Sequence, residues 1–429
     1  MDVLVTGGLG FIGRAVVAGL LRAGHRVRIA GRPGRAHASP PGVDFVACDF
    51  GRDVAAADWR PRLEGIDAVV NCAGILRERG SDRFEAIHVS APAALFGACA
   101  EAGVRRVVQV SALGDPADGE FIASKHRGDA RLLAMDLDWV VLRPSVVASA
   151  RGSYGGTSLL RALATLPLIP LPGTGAQRLQ PVALEDLVAA VLAALTRDEA
   201  RRQVIELGGP AALSLRDYLA LWRRWLGLGP AHFLPVPKAL ARIGAATGEL
   251  LGRGPLGLTM WRMLERGNVT AAEAPARAQA LLGFAPRALG EHLAESPSHS
   301  ADRWHARLHL LAPALRGLLA LTFLASGVVG LLLPPAQVQT LMAPTGFSPG
   351  LIDALAVGGS LADLLLGALL LTGWRTNWVL GAMAALVLGY TLVIGLFLPA
   401  AWLDPFGGLL KNPLVLLAIA LAAATAERD

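Results

Sequence analysis

The sequence predicts an α/β fold, a doubly wound parallel sheet with a smaller second lobe, followed by an all-α four-helix transmembrane domain. Three observations predict it. Short apolar strands alternate with helical stretches over residues 1–150, a glycine-broken turn directly follows the first strand, and the last quarter of the chain is almost empty of charge.

"DVLVTGG" reads as an apolar strand and turn, and "FIGRAVVAGLLRAG" continues with helical periodicity that ends at Gly24. This opening lacks a charged n-region and is broken by glycine, so it is expected to start a sheet rather than to serve as a signal peptide. Further strands follow at "RVRIA", "VDFVACD", "DAVVNCAG", "RRVVQVSA" and "DWVVLRP", with helices between most of them, including residues 83–102 and 124–135. Parallel strands need such crossovers, because each helix returns the chain to the same edge of the sheet. After Pro144 the pattern loosens into Pro/Gly-rich segments such as "LPLIPLPGTG". A helix at 184–195, a strand at "QVIELGG" and the helical run "SLRDYLALWRRWLGLG" are assigned to the second lobe. The expected divisions are 1–150 for the nucleotide-type sheet, 151–300 for the second lobe, 301–316 for a juxtamembrane helix and 317–429 for the membrane domain.

The chain is 53% hydrophobic and 17% charged. Residues 317–426 hold only Asp353, Asp363, Arg375, Asp404 and Lys411, a net −1, and the last three residues add another −1. The formal total of +6 therefore places +8 on residues 1–316, a charge suited to anionic headgroups or one that follows simply from arginine-rich usage. Four apolar segments begin at Leu318, and a span needs about 20 residues, which the first and last reach only by borrowing neighbours. Arg303, Arg307 and Arg316 precede the first and Arg375 separates the second from the third, while the loop 334–350 has no Lys or Arg. That bias predicts a multi-pass protein of the cytoplasmic membrane with both termini and the nucleotide domain inside. No Lys/Arg run interleaved with aromatics occurs, so nucleic acid is not an expected partner. Cys48, Cys72 and Cys99 lie in apolar surroundings without metal or redox spacing, which suits a reducing compartment.

"TGGLGFIG" supplies Gly7, Gly10 and Gly13 between first strand and first helix. Gly7 permits the tight turn, Gly10 lets backbone approach a pyrophosphate, and Gly13 allows close helix–strand packing, the arrangement of a Rossmann dinucleotide site. An NAD site carries an acid about 20 residues on. Here the second strand ends in "IAGRPGR", with Arg32 and Arg35 and no acid before Asp44, so NADP(H) is favoured over NAD(H).

With these motifs the chain resembles the atypical and extended short-chain dehydrogenase/reductases, and among them proteins like the NAD(P)H-binding accessory subunit of respiratory complex I. The resemblance covers about residues 1–300 and rests on "TGGLGFIG", "CDF", "NCAG", "VSALGD", "LRPSVV" and "RLQPVALEDLV". It implies that Thr6, Gly7, Gly10, Phe11, Ile12 and Gly13 hold the pyrophosphate and that Asp49 and Phe50 flank the adenine. It further implies that residues 71–74, with Asn71, Ala73 and Gly74, line the adenosine-ribose side, and that Pro144 and Val146 lie near the nicotinamide. The membrane segment resembles the DoxX-like four-helix domain, notably at "WLDPFGGLLKN".

In that superfamily a tyrosine hydroxyl exchanges the proton at the substrate oxygen, a lysine one helical turn on lowers its pKa and holds the ribose, and a serine ending the fifth strand binds the substrate oxygen. The stretch "GEFIASKHRGDA" keeps Lys125 but places Phe121 at the tyrosine position, and Ser111 fills the serine position. Positions i and i+4 share a helix face, so Phe121 and Lys125 point together. None of the three tyrosines, Tyr154, Tyr218 and Tyr390, has lysine four places later. Tyr154 from its loop, a desolvated Lys125, Ser124 or His126 remain as proton donors, although His126 is expected to face solvent. A quinone or flavin acceptor takes its proton from water and needs none. The chain is therefore expected to be a membrane-anchored NAD(P)H oxidoreductase for a quinone or isoprenoid-like acceptor, or else a non-catalytic NAD(P)H-binding assembly or sensor protein.

Asp363 falls mid-span, as a proton or headgroup site or as a hydrogen-bonded helix glue. His305 and His309 have metal spacing beside Asp302 but are expected to lie at headgroup level, and no metal site is assigned. "LPVPKALARIGAATGELL" and "LTMWRMLERGN" are expected to be lid helices over the substrate, with the bilayer interface as the alternative.

Overall fold

The computed structural model describes residues 1–250, 257–404 and 408–426. The end of "LPVPKALARIGAATGELL", the "PFG" of the DoxX-like motif and the terminal Glu427, Arg428 and Asp429 lie outside the described residues. The chain divides into two units, Met1–Arg303 and Trp304–Asp429.

In the first unit seven strands, β1 (Asp2–Thr6), β2 (Arg26–Gly31), β3 (Asp44–Ala47), β4 (Ala68–Asn71), β5 (Arg106–Val110), β6 (Asp138–Pro144) and β7 (Gln203–Leu207), form one sheet. Their order is β3-β2-β1-β4-β5-β6-β7, and every pairing is parallel. Alternate residues of a strand face opposite sides. Val3 and Val5 accordingly meet α1 (Phe11–Arg22) and α4 (Leu184–Thr196) through Val16, Leu20, Leu187 and Val191. Leu4, Val69 and Val107 meet α2 (Ala91–Ala102) and α3 (Glu120–Leu133) through Leu95, Phe96 and Leu132. Burial on both faces is why these strands read as unbroken apolar runs, and each enclosed Val or Leu contributes about 1.5–3 kcal/mol. All the strands end toward the same edge, and the switch in order between β1 and β4 opens a crevice there.

The sequence grouping of α4 and β7 with the second lobe is corrected. β7 pairs with β6 from Gln203↔Val140 to Leu207↔Pro144, and α4 packs on α1 so closely that a Cβ at Gly19 would sit 2.4 Å from Val188. The chain leaves the sheet after Pro144, visits the lobe, and returns. Local periodicity carries no signal of that return. The lobe itself joins the helices Gly156–Leu163, Leu215–Trp225, Lys238–Leu250 and Leu258–Arg266 to a two-stranded ribbon of Ile169–Pro172 and Phe233–Val236. Its core is Tyr218, Leu219, Trp222, Ile169 and Leu171.

The second unit contains all but the first four residues of α5 (Ser300–Leu332), together with α6 (Pro349–Thr372), α7 (Thr376–Phe397) and α8 (Asn412–Ala424). Three of these, α5 to α7, are long and apolar enough to cross a membrane. The expected fourth span differs. α8 has 13 residues, about 20 Å at 1.5 Å per residue, against a hydrocarbon core of about 30 Å. The juxtamembrane helix is also not separate, because α5 runs unbroken for 33 residues through Pro313. Small residues let the helices touch backbone to backbone. A Cβ at Gly327 would lie 2.6 Å from the Ser360 carbonyl oxygen, and one at Gly367 2.9 Å from that of Ala320. Asp363 is buried and accepts a hydrogen bond from Ser326 Oγ at 2.8 Å, which ties α6 to α5.

Candidate nucleotide and substrate cleft

The turn between β1 and α1 is fixed by its own backbone. The Gly10 N–H donates to the Gly7 carbonyl at 2.9 Å, and Gly7 holds φ +65°, a left-handed conformation suited to glycine. A Cβ at Gly7 would be 2.8 Å from the Ala73 nitrogen, and one at Gly13 would be 2.1 Å from the Gly7 oxygen. No side chain caps α1 at Gly10, so the first-turn N–H groups at Phe11, Ile12 and Gly13 stay available to an anion. Beside the turn, Thr6 Oγ1 donates to Asn71 Oδ1 at 2.5 Å. Asn71 also accepts from the Ala73 N–H at 3.1 Å and donates to Gln109 at 2.7 Å. This buried chain of amides locks the ends of β1, β4 and β5 together and holds Ala73 and Gly74 against the crevice. The cradle fits a dinucleotide: its approach is one that any Cβ would fill.

Along the crevice toward β2, Arg32 donates to Asp82 at 2.5 Å, a partner that the sequence reading missed because Asp82 lies 50 positions away. The arginine is 59% exposed, so this pair is worth about 0–1 kcal/mol and a phosphate can displace it. Asp49 accepts from the Gly51 N–H at 2.9 Å, and Phe50 stands edge-on to the buried Trp59 with centroids 5.3 Å apart.

Lys125 is buried at the opposite end. Its Nζ donates to the Ala73 carbonyl at 2.9 Å and the Val110 carbonyl at 3.3 Å, and burial lowers its pKa to about 8 against the raising effect of Asp129. Gly74 is required here, since a Cβ would sit 2.8 Å from that Nζ. Phe121 lies on the same face of α3, its ring 5.9 Å from His88. His88 comes from a π-helical turn, Glu85–Ser90, against which Gly128 brings the backbone of α3. His88 Nε2 accepts from the Ile75 N–H at 3.1 Å, which leaves Nδ1 to donate to Ser124 at 2.8 Å. Burial, with Lys125 and Arg127 nearby, pushes the imidazole down to about 2, so it stays neutral. His126 is half-buried rather than solvent-facing, with Nε2 3.2 Å from the Ala112 carbonyl oxygen. Ser111 donates to Asp129 Oδ2 at 2.8 Å, and Arg143 donates to that same oxygen at 2.9 and 3.0 Å. Asp129 and Arg143 are further residues that sequence reasoning missed. The signal was available, since Asp129 is one turn beyond Lys125 on the same helix face.

Between α3 and the second lobe lies a cavity of about 530 Å³. Phe11, Ile12, Ser111, Phe121, Pro144 and Val146 line its inner end, and Tyr154, Leu160, Leu240 and Trp261 its outer walls. Among the described residues no lining side chain is charged. The helix Leu258–Arg266 is fastened across it by Arg266, whose Nη2 donates to Asp118 at 2.8 Å. Ser111 has its proton committed to Asp129, so lone pairs are what it turns to the cavity. Tyr154 reaches the lining from an exposed loop, as the sequence allowed. The structure thus brings Ser111, Phe121, Pro144, Val146 and the turn residues Phe11 and Ile12 to one cavity. Arg32, Asp49 and Phe50 do not line it.

Comparison with known proteins agrees with this architecture. Residues 3–208 match the NAD dependent epimerase/dehydratase family and residues 320–421 the DoxX-like family. A Streptomyces griseus (4-alkanoyl-5-oxo-2,5-dihydrofuran-3-yl)methyl phosphate reductase is 29% identical over 232 residues, 52% of this chain and 74% of its own. A Caulobacter vibrioides ceramide reductase is 27% identical over 195 residues, 44% of this chain and 60% of its own. The Arabidopsis thaliana mitochondrial NADH dehydrogenase [ubiquinone] 1 alpha subcomplex subunit 9 is 27% identical over 258 residues, 55% of this chain and 61% of its own. The chain spans about a quarter (27%) of the length of the uncharacterized mycobacterial relatives that it also matches. The fold is that of a UDP-glucuronic acid 4-epimerase from Bacillus cereus, which matches with a TM-score of 0.52 at 18% identity over 72% of this chain and all of that one. The chain therefore joins an NAD(P)-binding domain of the NAD dependent epimerase/dehydratase family to a DoxX-like membrane domain.

Proposed function

We propose that this protein is a membrane-tethered oxidoreductase that moves a hydride from NADPH, in preference to NADH, to a lipophilic acceptor of quinone or isoprenoid type. One observation carries the reading: a cavity with no charged lining side chain among the described residues reaches Phe11 and Ile12 of the glycine turn. A nucleotide sugar would leave its diphosphate unpaired in such a cavity, whereas an apolar chain fills it.

A bound nicotinamide supplies the hydride. The chain's own residues bind and orient. Thr6, Gly7, Gly10, Phe11, Ile12 and Gly13 receive the pyrophosphate, Arg32 a 2′-phosphate, and Asp49 and Phe50 the adenine end. Asn71, Ala73 and Gly74 line the ribose side, Lys125 holds the second ribose, and Pro144 and Val146 back the ring. Ser111 accepts a hydrogen bond at the reacting end. Phe121 has no proton to give, which suits an acceptor protonated from water. By the distribution of arginines, the nucleotide unit and the N-terminus face the cytoplasm, and the C-terminus joins them where α8 with its flanking residues completes a fourth crossing. The test is turnover in nanodiscs with a quinone panel and NADPH deuterated on one or the other face. The expected result is loss of label from one face only.

Phe121 and the committed proton of Ser111 favour a second reading, a non-catalytic NAD(P)H-binding assembly or sensor protein. Saturable cofactor binding with no turnover across the panel selects it.

A further inference from the structure

Among the described residues, the large apolar side chains exposed on the first unit are mostly scattered, with one exception. Leu168, Leu234, Leu240 and Ile243 come from adjoining elements: Leu168 precedes the strand Ile169–Pro172, Leu234 belongs to its partner strand, and the helix Lys238–Leu250 follows directly after Pro237. The Ile169 N–H donates to the His232 carbonyl at 2.8 Å, which brings the starts of the two strands together. Leu240 and Ile243 are 57% and 59% exposed and stand one turn apart on the same helix face. Leu240 also lines the cavity, so the exposed rim and the apolar interior are continuous. Arg242 and Lys238 are exposed on the same helix, and Lys238 reaches Glu265 at 3.5 Å.

We propose that the helix Lys238–Leu250 lies in the headgroup region of the bilayer, with Leu240 and Ile243 at the acyl boundary, so that the cavity mouth opens onto lipid. Apolar residues on one face with cations beside them are what an interfacial helix needs, and anionic headgroups complement those cations. The bilayer is also the apolar phase this chain brings with it, through α5, α6 and α7. Docking stands without any hydride chemistry. Only the conclusion that substrate enters from the membrane rests on the function proposed above.

The full chain in anionic nanodiscs tests this with Ile243→Cys carrying an environment-sensitive fluorophore, against Leu21→Cys, an exposed apolar site on α1. Cys48 and Cys99 are buried with their thiols pushed up to about 12, and Cys72 gives the same background at both positions. At 243 the expected result is blue-shifted emission quenched by spin-labelled lipid, weakening in zwitterionic discs, while position 21 is quenched by aqueous iodide. Iodide quenching at 243 equal to that at 21 overturns the proposal, as does shielding from both quenchers, which would mean a protein partner. A second arm uses Ile243→Asp, expected to raise KM for a bilayer-partitioned quinone by roughly tenfold with NADPH affinity unchanged. An unchanged KM overturns the entry route. If the wild type shows no turnover at all, the hydride reading fails while the fluorophore still reports docking.

Discussion

The two ends of the cleft are built on opposite terms. At the proposed nucleotide end the backbone shapes the site, and glycines at 7 and 13 are dictated by approaches of 2.8 and 2.1 Å. At the proposed reacting end the site is built of side chains, yet their polar atoms face one another. Ser111 is spent on Asp129, Ser124 on His88 and the Glu120 carbonyl, and Lys125 on two carbonyls. On the proposed function, the contrast separates cofactor binding, which falls to the backbone turn, from acid–base chemistry, which Phe121 would alter.

The most damaging way to break that comparison is at the turn. Gly13→Ala puts a methyl group against the Gly7 oxygen, and the expected outcome is a loss of NADPH affinity of roughly 10²-fold or more, with a lowered Tm. Fluorescence titration and thermal unfolding read both. Phe121→Tyr acts at the other end. It restores a phenol one turn from Lys125 and is expected to raise reduction of simple carbonyls by roughly 10²–10⁴, with cofactor affinity unchanged, measured by NADPH oxidation.

Lys125 sharpens the comparison through pH. Burial holds its folded pKa at about 8, below its ordinary value of 10.5, so the unfolded chain binds more protons between those limits. Stability should therefore rise as pH climbs through that window, and Lys125→Met should abolish the rise in a Tm series. Cofactor affinity should move the other way, weakening above about pH 8 as the ammonium charge is lost. The smallest expected effect is at the adenosine end. Asp82→Asn frees Arg32 and should improve NADPH over NADH by roughly two- to fivefold, while Arg32→Ala removes the preference, read as the ratio of Kd values.

What could be read from the sequence follows the same division. The strand–turn–helix at Gly7, Gly10 and Gly13, the face shared by Phe121 and Lys125, and the membrane-length apolar helices are local patterns, and local periodicity reports them. Pairings across the fold are not local. The membership of β7 in the main sheet depends on a return after some 60 residues, from Pro144 to Gln203, that no window spans. The coupling of Ser111 to Asp129 and Arg143 requires β5, α3 and β6 to meet. The pairing of Arg32 with Asp82 needed a loop beyond β4 to reach the end of β2. The continuity of α5 was hidden for another reason, since a charged amphipathic half and an apolar half look like two helices when they are one.

The most direct test is an equilibrium titration of the intact protein in nanodiscs with NADPH and NADH, run beside Gly13→Ala. The account predicts saturable micromolar-range binding, tighter for NADPH, that the substitution abolishes. Absence of binding to both dinucleotides, or binding that Gly13→Ala leaves untouched, would contradict it.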